Sequence, residues 1–422
     1  MTGMCLPIQR QAADSPRHEL ESLLITLSDD KYQFEKSPDI FKQSANKKWL
    51  IKQTGLLMKP LKNLVNLVVK SGTINFNENN ELKQKANLYS KQLITLGHEA
   101  FNQFFEDNEA INLLIKKLAY RKTRNRLAAP CFCSNEIVFP WELFYPEYND
   151  KNSHDNDPVK SFWGMQYPLG RNLTGKDIET HVIEQYPEAN MLFGLYKNLP
   201  WARQDEWPRL KKLVMTDRGM IHVLGGDVGL CLAEDNTCDA RELLKYLYNA
   251  NHNMIHFACH CKQEPKDDSD NILLLSWVKC ASHITDKCIN GNVPSIRLSP
   301  RTFLNKRGTF SVQKPLVFLN ACKSTGEIDD VTLDFNLPGK FVNCEAAAVI
   351  ATICPVPDLF ASAFANRFYE LFLNDGIEIG EALRLTRLHF WEVYNNPLGL
   401  VYGLYSSPFY RVAIPLEQGG LI

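Results

Sequence analysis

Two stretches of this chain carry side chains that could do nucleophilic chemistry. One is Cys259-His260-Cys261, which follows the apolar run "MIHFA" and is broken off at Pro265. The other is Cys322, at the end of "PLVFLNAC" and the start of "CKSTG". A thiol within reach of an imidazole is a nucleophile in waiting: the ring removes the thiol proton and later returns a proton to a leaving amine. The same residue types also bind metal. Cys259, His260, Cys261, Cys280, His283 and Cys288 lie close in sequence, and Cys131-Phe132-Cys133 forms a further pair. Structural zinc prefers C-x2–4-C pairs, and no second well-spaced pair follows the C-x-C step here. A third reading is plain packing, because cysteine is among the most buried residue types. Strand-end spacing alone leaves the three open.

For His260 and Cys322 to meet, two strands must end side by side. From about residue 238 the pattern alternates between short apolar runs and amphipathic stretches. "MIHFAC", "NILLLSW", "PLVFLNAC" and "AAAVIATICPV" read as strands, the first ending at His260. "CDARELLKYLYNAN" with Asp239 as N-cap, "LSPRTFLN" started at Ser299, "LPGKFVNCE", "DLFASAFANRFYELFLNDG" ending at Gly376 and "IGEALRLTRLHFWEVY" read as helices or helical turns. Continuous apolar strands between amphipathic helices predict a mostly parallel sheet covered on both faces. Ligands of such sheets bind beyond the carboxyl ends of the strands. That edge is where both reactive side chains fall.

Upstream, "ESLLITLSDD" and "KKWLIKQTGLLMKPLKNLVNLVVKS" have helical spacing, the second interrupted at Pro60. "INFNENNELKQ" reads as a loop, and the stretch from Leu82 to Arg126 as a second helical region. "NEIVFPWELFYPE" reads as a short strand meeting a Pro-Trp turn, with "EANMLFGLY" and "GMIHVLGG" as further strands.

The chain has 422 residues, 45% of them hydrophobic and 23% charged, ample for a sizeable core. Its 47 basic and 48 acidic side chains leave a net charge of −1, which argues against a general nucleic-acid binder. No run of 18 apolar residues and no leader-like apolar stretch near Met1 predict a protein that neither spans a membrane nor is exported. The 12 cysteines are then expected as thiols in a reducing cytoplasm. No glycine-rich phosphate-binding fingerprint follows a strand, so no cofactor is expected.

"MIHFACH" followed by "LVFLNACKSTG" resembles the CHAT peptidase family, relatives of caspases and separases. "VFPWELF" is similar to the family's upstream element. "AAAVIATICPVPDLFASAFANRFYELFLNDGIEIGEALRLTR" is similar to its downstream block, and "YGLYSSPFYRV" to its closing segment. The resemblance runs from about residue 85 to 415. It implies a caspase-like three-layer α/β sandwich around a mostly parallel sheet, here with a helical N-terminal extension. Residues 1–84 would be that extension, 85–235 a pseudo-protease half and 236–422 the active half.

The resemblance implies peptide-bond hydrolysis by a dyad, with His260 as base and Cys322 as nucleophile, and no metal. Backbone N–H groups of Cys261 and Cys322 would form the oxyanion hole. His256 matches a non-catalytic, core position. Asp358 has two expected roles: N-cap of the helix it begins, or a carboxylate in a pocket for a basic side chain. Two residues depart from the family's pattern. Cys261 stands where glycine is usual, and Cys354 where tryptophan is usual. If the site at Cys261 needs a left-handed backbone, the chain would instead be a pseudo-enzyme acting as an interaction module. Protein substrates of the gasdermin-like pore-forming kind or CRISPR-associated proteins, in prokaryotic antiviral defence or regulated cell death, are what the family implies, with an activating partner or oligomer.

Overall fold

The computed structural model describes residues 19–27, 34–37, 40–105, 128–133, 139–146, 157–173, 182–183, 190–196, 199–214, 220–224, 252–263, 271–276, 295–298, 310, 314–321 and 337–412. In chain order these form β1 (Glu19–Leu27), β2 (Phe34–Ser37), β3 (Ile40–Ala45), α1 (Lys47–Ser71), α2 (Asn80–Phe104) and β4 (Ala128–Cys133). There follow α3 (Trp163–Gln166), β5 (Gly170–Asn172), β6 (Val182–Ile183), β7 (Asn190–Leu195), α4 (Trp207–Val214), β8 (Met220–Leu224), β9 (Met254–Gln263), β10 (Asn271–Ser276), β11 (Ser295–Leu298) and β12 (Leu316–Ala321). The last are α5 (Leu337–Asn343), β13 (Ala348–Thr352), α6 (Asp358–Tyr369), α7 (Ile379–Tyr394), β14 (Tyr402–Tyr405) and β15 (Arg411–Val412). Two π-helical turns, Ala202–Glu206 and Glu370–Asn374, precede α4 and follow α6.

The helical extension begins with α1, whose first turn is capped by the Asn46 side chain accepting from the Trp49 amide at 3.2 Å. It ends at Gly72, which turns left-handed at φ 69° and returns its N–H to Val68. Pro60 does not interrupt this helix, contrary to the expectation above. A proline inside a helix costs about 3 kcal/mol. Here Leu57, Met58, Pro60, Leu61 and Leu64 are buried along one face, and that packing outweighs it. The segment from Glu21 departs further from the sequence reading: it is strand β1, paired with β3 on one side and β4 on the other. A short apolar run such as Leu23-Leu24-Ile25 has no period of its own, so its pairing partners decide.

Strands β2, β3, β1, β4 and β5 form the first sheet, in that order. The second places β8, β7, β9, β12 and β13 side by side, all parallel, with β14 antiparallel at the edge. β10 and β11 add an antiparallel pair to the far end of β9. The strand order is that of a doubly wound sheet whose winding reverses between β7 and β9. Strand pairing divides the two sheets between β5 and β7, and β7 and β8 pair into the sheet of β9.

Alternation along the strands sends side chains to two apolar layers. Phe193, Met254, Ala258, Phe318 and Ile350 join the layer containing Phe360, Phe364 and Phe368 of α6. Leu192, Ile255, Phe257, Cys259, Val317, Leu319 and Val349 join the layer containing Leu337 and Phe341 of α5. Helices thus cover both faces, which is the α/β sandwich the sequence predicts. The predicted strands at β7, β8, β9, β10, β12 and β13 and helices at α5, α6 and α7 form. The stretches around Asp239 and Ser299, Cys280, His283 and Cys288 lie outside the described residues.

Candidate active site

The strand carrying His260 and the strand leading to Cys322 are immediate parallel neighbours. β9 pairs with β12 from Met254↔Leu316 to Cys259↔Ala321. The last paired residues therefore directly precede His260 and Cys322 in the chain. β9 does not stop at His260, as its sequence suggests, but continues to Gln263 because β10 offers a partner: His260 opposes Leu274 and Cys261 opposes Leu273. Position 260 shares a strand face with His256 and Ala258. Cys322 lies outside the described residues. Cys261 lies in a paired strand, an extended backbone any residue adopts, so the cysteine in place of glycine imposes no left-handed strain.

Cys259 falls on the opposite face and is buried with Phe257 in the α5-side layer. Alternation makes it packing rather than chemistry. Among the described residues no group of three or more His, Cys, Asp or Glu side chains could hold a metal ion. Cys131 is buried too, and its thiol is pushed well above the usual range by hydrogen bonding with Cys133 and by burial.

Under the ends of β9 and β12 lies a buried polar network that sequence reading missed. The π-helical turn after β7 sends Glu206 inward. Asn320 Nδ2 donates to Glu206 Oε1 at 2.8 Å and to the Ala361 carbonyl at 3.1 Å. Tyr402 Oη donates to Asn320 Oδ1 at 2.7 Å. His256 Nε2 approaches the same Glu206 oxygen at 2.6 Å, close as an ion pair but off a hydrogen-bond line. Its Nδ1 lies 3.2 Å from Tyr369 Oη, and its ring stacks on Phe193. Burial and then the charge of Glu206 push the Tyr369 phenol well above its usual range, so it stays protonated and able to donate. His256 is thus a core residue, as expected, but a hydrogen-bonded one. The visible signals were a polar Asn320 closing an apolar strand and a histidine inside another.

The neighbouring strand end is tied in as well. Thr352 Oγ1, at the end of β13, donates to the Ala321 carbonyl at 2.5 Å. The only polar residue of "AVIAT" was the available clue.

Asp358 caps a different helix from the one it begins. It is the first residue of α6, and its side chain does not cap that helix. Instead Oδ2 accepts from the Trp201 amide at 2.7 Å and Oδ1 from the Ala202 amide at 3.2 Å, so it caps the helical segment that follows β7. Those two amides, of the residue before the π-turn and of its first residue, open the turn that carries Glu206. Asp205, one residue earlier, accepts from Ser362 and Asn366 of α6 at 3.0 and 2.8 Å. A π-turn lets these consecutive carboxylates serve α6 and the sheet together. Burial raises the Asp358 pKa to about 6, reinforced by the charge of Glu206 and opposed by the two amide bonds. Beside it Trp201 is 44% exposed, with its backbone fixed. Cys354, where the family has tryptophan, is fully buried.

The "PWEL" element has a structural explanation. Glu142 is buried and receives both Arg171 guanidinium nitrogens, at 2.7 and 2.5 Å, while Arg387 of α7 lies 3.7 Å away. Arg171 also donates to the Phe139 and Leu404 carbonyls, and Arg387 to those of Gly164 and Tyr402. One carboxylate therefore ties β5, α7 and β14 together beneath the second sheet's edge. Burial works against the Arg171 charge, but Glu142 outweighs it and leaves that pKa raised; burial lowers Arg387 to about 10. Trp141 beside it stacks on Phe132 at 4.3 Å, and Trp49 of α1 stacks on Phe139. The extension is thus packed on the element rather than tethered to it.

Over 105 residues the chain is 35% identical to a sequence described as a probable protease from Vitiosangium sp. (strain GDMCC 1.1324), an overlap of 25% of this chain and 14% of that protein. The chain thus spans a small part of that relative's length. Two crystal structures of the Saccharomyces cerevisiae separase–securin complex superpose with TM-scores of 0.38 and 0.37 at 12% and 11% identity. The superpositions take in 83% and 85% of this chain and 22% and 23% of the yeast chain. No helix among the described residues is long and apolar enough to cross a membrane. The CHAT domain model matches residues 198–410, which runs from just before the π-turn to the end of the second sheet and takes in just over half of the chain, and the chain belongs to the CHAT domain family.

Proposed function

We propose that this chain is a cysteine endopeptidase in which His260 and Cys322 form the catalytic dyad. The observation that carries the reading is the Cys259↔Ala321 pairing of adjacent parallel strands, since the next residue in each strand is the histidine and the cysteine. In this reading the imidazole takes the thiol proton and the thiolate attacks a substrate carbonyl. Backbone N–H groups of Cys322 and Cys261 stabilise the oxyanion, and His260 protonates the leaving amine. Water then hydrolyses the thioester. Asp358 and Trp201 border the same sheet edge, where the carboxylate fixes the wall of the substrate groove.

The substrate is a protein partner, cut after an activator or self-association orders the loops at the sheet edge, as is common for sites built on loops. We take the context to be cytoplasmic prokaryotic antiviral defence or regulated cell death, with a gasdermin-like pore protein or a CRISPR-associated protein as the proposed substrate, as the family resemblance implies.

The test is incubation of the purified protein with the products of its neighbouring genes, read by gel and mass spectrometry. A discrete cut that is absent with Cys322→Ala and with His260→Ala is the expected result. Undiminished cutting by Cys322→Ala excludes the dyad.

A further inference from the structure

Trp201 is 44% exposed, although its backbone is held on both sides. Its N–H donates to Asp358 Oδ2 at 2.7 Å, and its carbonyl lies 3.3 Å from Ser362 Oγ, so both contacts come from α6. The next residue, Ala202, is buried and donates its N–H to Asp358 Oδ1 at 3.2 Å. Among the described residues the indole has neither a ring contact nor a hydrogen-bond partner. A large apolar side chain on a backbone already fixed offers contact area at a low ordering cost.

The turn that carries Trp201 is placed by β7. Tyr196, which follows that strand, donates its N–H to the Ala258 carbonyl of β9 at 2.9 Å. The Leu199 amide then bonds back to the Tyr196 carbonyl, and the Arg203 amide to the Leu199 carbonyl. Leu199 and Ala202 are buried in the same apolar layer as Ala258 and Phe360. The turn therefore stands at the carboxyl end of β9, on the face that Ala258 shares with position 260. Ligands of parallel sheets bind beyond that edge.

The carboxylates of this turn are already engaged. Asp358 gives one oxygen to each of two amides, and Asp205 accepts from Asn366 Nδ2 and from Arg209 Nε, each at 2.8 Å. What the turn leaves for a ligand is the indole. The other large apolar side chains exposed among the described residues, Val69, Leu88 and Val393, stand on α1, α2 and α7. Trp201 is the one carried by a strand-to-helix turn.

We propose that Trp201 is a specificity-determining residue, whose indole receives an apolar side chain, aromatic or large aliphatic, of a substrate peptide lying across the sheet edge. This rests on the peptidase reading above and deepens it by naming the substrate class.

The test uses a proteome-derived peptide library incubated with the full-length protein and the products of its neighbouring genes. New termini are read by mass spectrometry, with Cys322→Ala as the blank. Two peptides are then made around the most frequent cut, one with the preferred residue at the most selective position and one with alanine there. The ratio of their kcat/KM values is measured for wild type, Trp201→Ala and Trp201→Phe. Because each ratio is taken within one protein, a loss of folded fraction does not move it.

A difference of even one methylene in an apolar pocket discriminates about tenfold or more. The wild type is expected to prefer an aromatic or large aliphatic residue by at least about tenfold over alanine. Trp201→Ala should lower that ratio about tenfold, and Trp201→Phe, which keeps an aromatic face, should hold most of it. A wild-type preference for a charged residue, or an unchanged ratio in Trp201→Ala, overturns the proposal. So does a phenylalanine variant as unselective as the alanine one, or an alanine variant that cuts neither peptide. These results leave the dyad in place, provided that cutting vanishes with Cys322→Ala. A wild type that cuts no peptide, or cutting undiminished in Cys322→Ala, overturns the peptidase reading and this proposal together.

Discussion

Asn320 Nδ2 donates to Glu206 Oε1 at 2.8 Å, and both side chains are buried. A strand that ends beside a candidate nucleophile is thereby bonded to a turn on a different helix. Replacing Asn320 by alanine leaves the Tyr402 hydroxyl and Glu206 without that partner. Leaving buried polar groups unsatisfied costs about 1–3 kcal/mol. Asn320→Ala is expected to lower stability by about 2 kcal/mol, read from urea unfolding midpoints. Asn320→Asp should be worse, because it sets a second carboxylate against Glu206. An aspartate variant as stable as wild type would contradict the network.

Glu142 balances two buried guanidiniums, so its removal strands both. Breaking a buried ion pair from one side typically costs about 3–5 kcal/mol. Glu142→Gln is expected to fall in that range by thermal or chemical unfolding. Replacing Glu142→Leu together with Arg171→Met and Arg387→Met should recover much of the loss, since no buried charge is then left unpaired at this site. A triple variant no better than Glu142→Gln would count against an electrostatic role.

Asp358 gives a pH signature. Its folded pKa is about 6, above the unfolded aspartate value, so the folded state holds the proton more tightly. The stability this confers is present below the unfolded pKa and is lost as pH rises through about 6. Relative to Asp358→Asn, wild type should lose about 1–2 kcal/mol between pH 4 and pH 7, a figure reduced for solvent screening of a half-buried carboxylate. Parallel unfolding curves for the two proteins across that range would refute the assignment.

Cys259 and Cys261 separate the metal reading from the protease reading. Cys259→Ala removes a packed side chain and should cost on the order of 1 kcal/mol with cleavage intact. On the proposed mechanism Cys261→Gly should keep or raise activity, since the strand backbone there is extended and that mechanism calls only on its N–H. Bound zinc in the purified wild type, lost together with folding in Cys261→Gly, would restore the metal reading.

How far the sequence reached can be seen strand by strand. "PLVFLNAC" and "MIHFAC" announced β12 and β9 because strands buried on both faces are written as continuous apolar runs. Helices α6 and α7 were legible from their periodicity, and the ordered motifs pointed to the family. Residues 21–27 form strand rather than helix because an apolar triplet carries too little period to separate the two. Pro60 was misread because a local propensity of about 3 kcal/mol is smaller than the packing of a buried helix face.

The amino-acid sequence by itself determined most of the strands and helices of the second sheet, and that a histidine lies in one of those strands while a cysteine follows another in the chain. These are properties of near neighbours in the chain, set by side-chain pattern and backbone preference. Only the tertiary structure decided that β9 and β12 are adjacent and in register at Cys259↔Ala321. It also decided that Asp358 caps a helix more than 150 residues away and that Glu206 lies beneath Asn320. Thr352 reaches the Ala321 carbonyl for the same reason. Such contacts join residues far apart in sequence, and no local pattern encodes them; they follow from burying all the apolar faces at once while leaving the enclosed polar groups partnered.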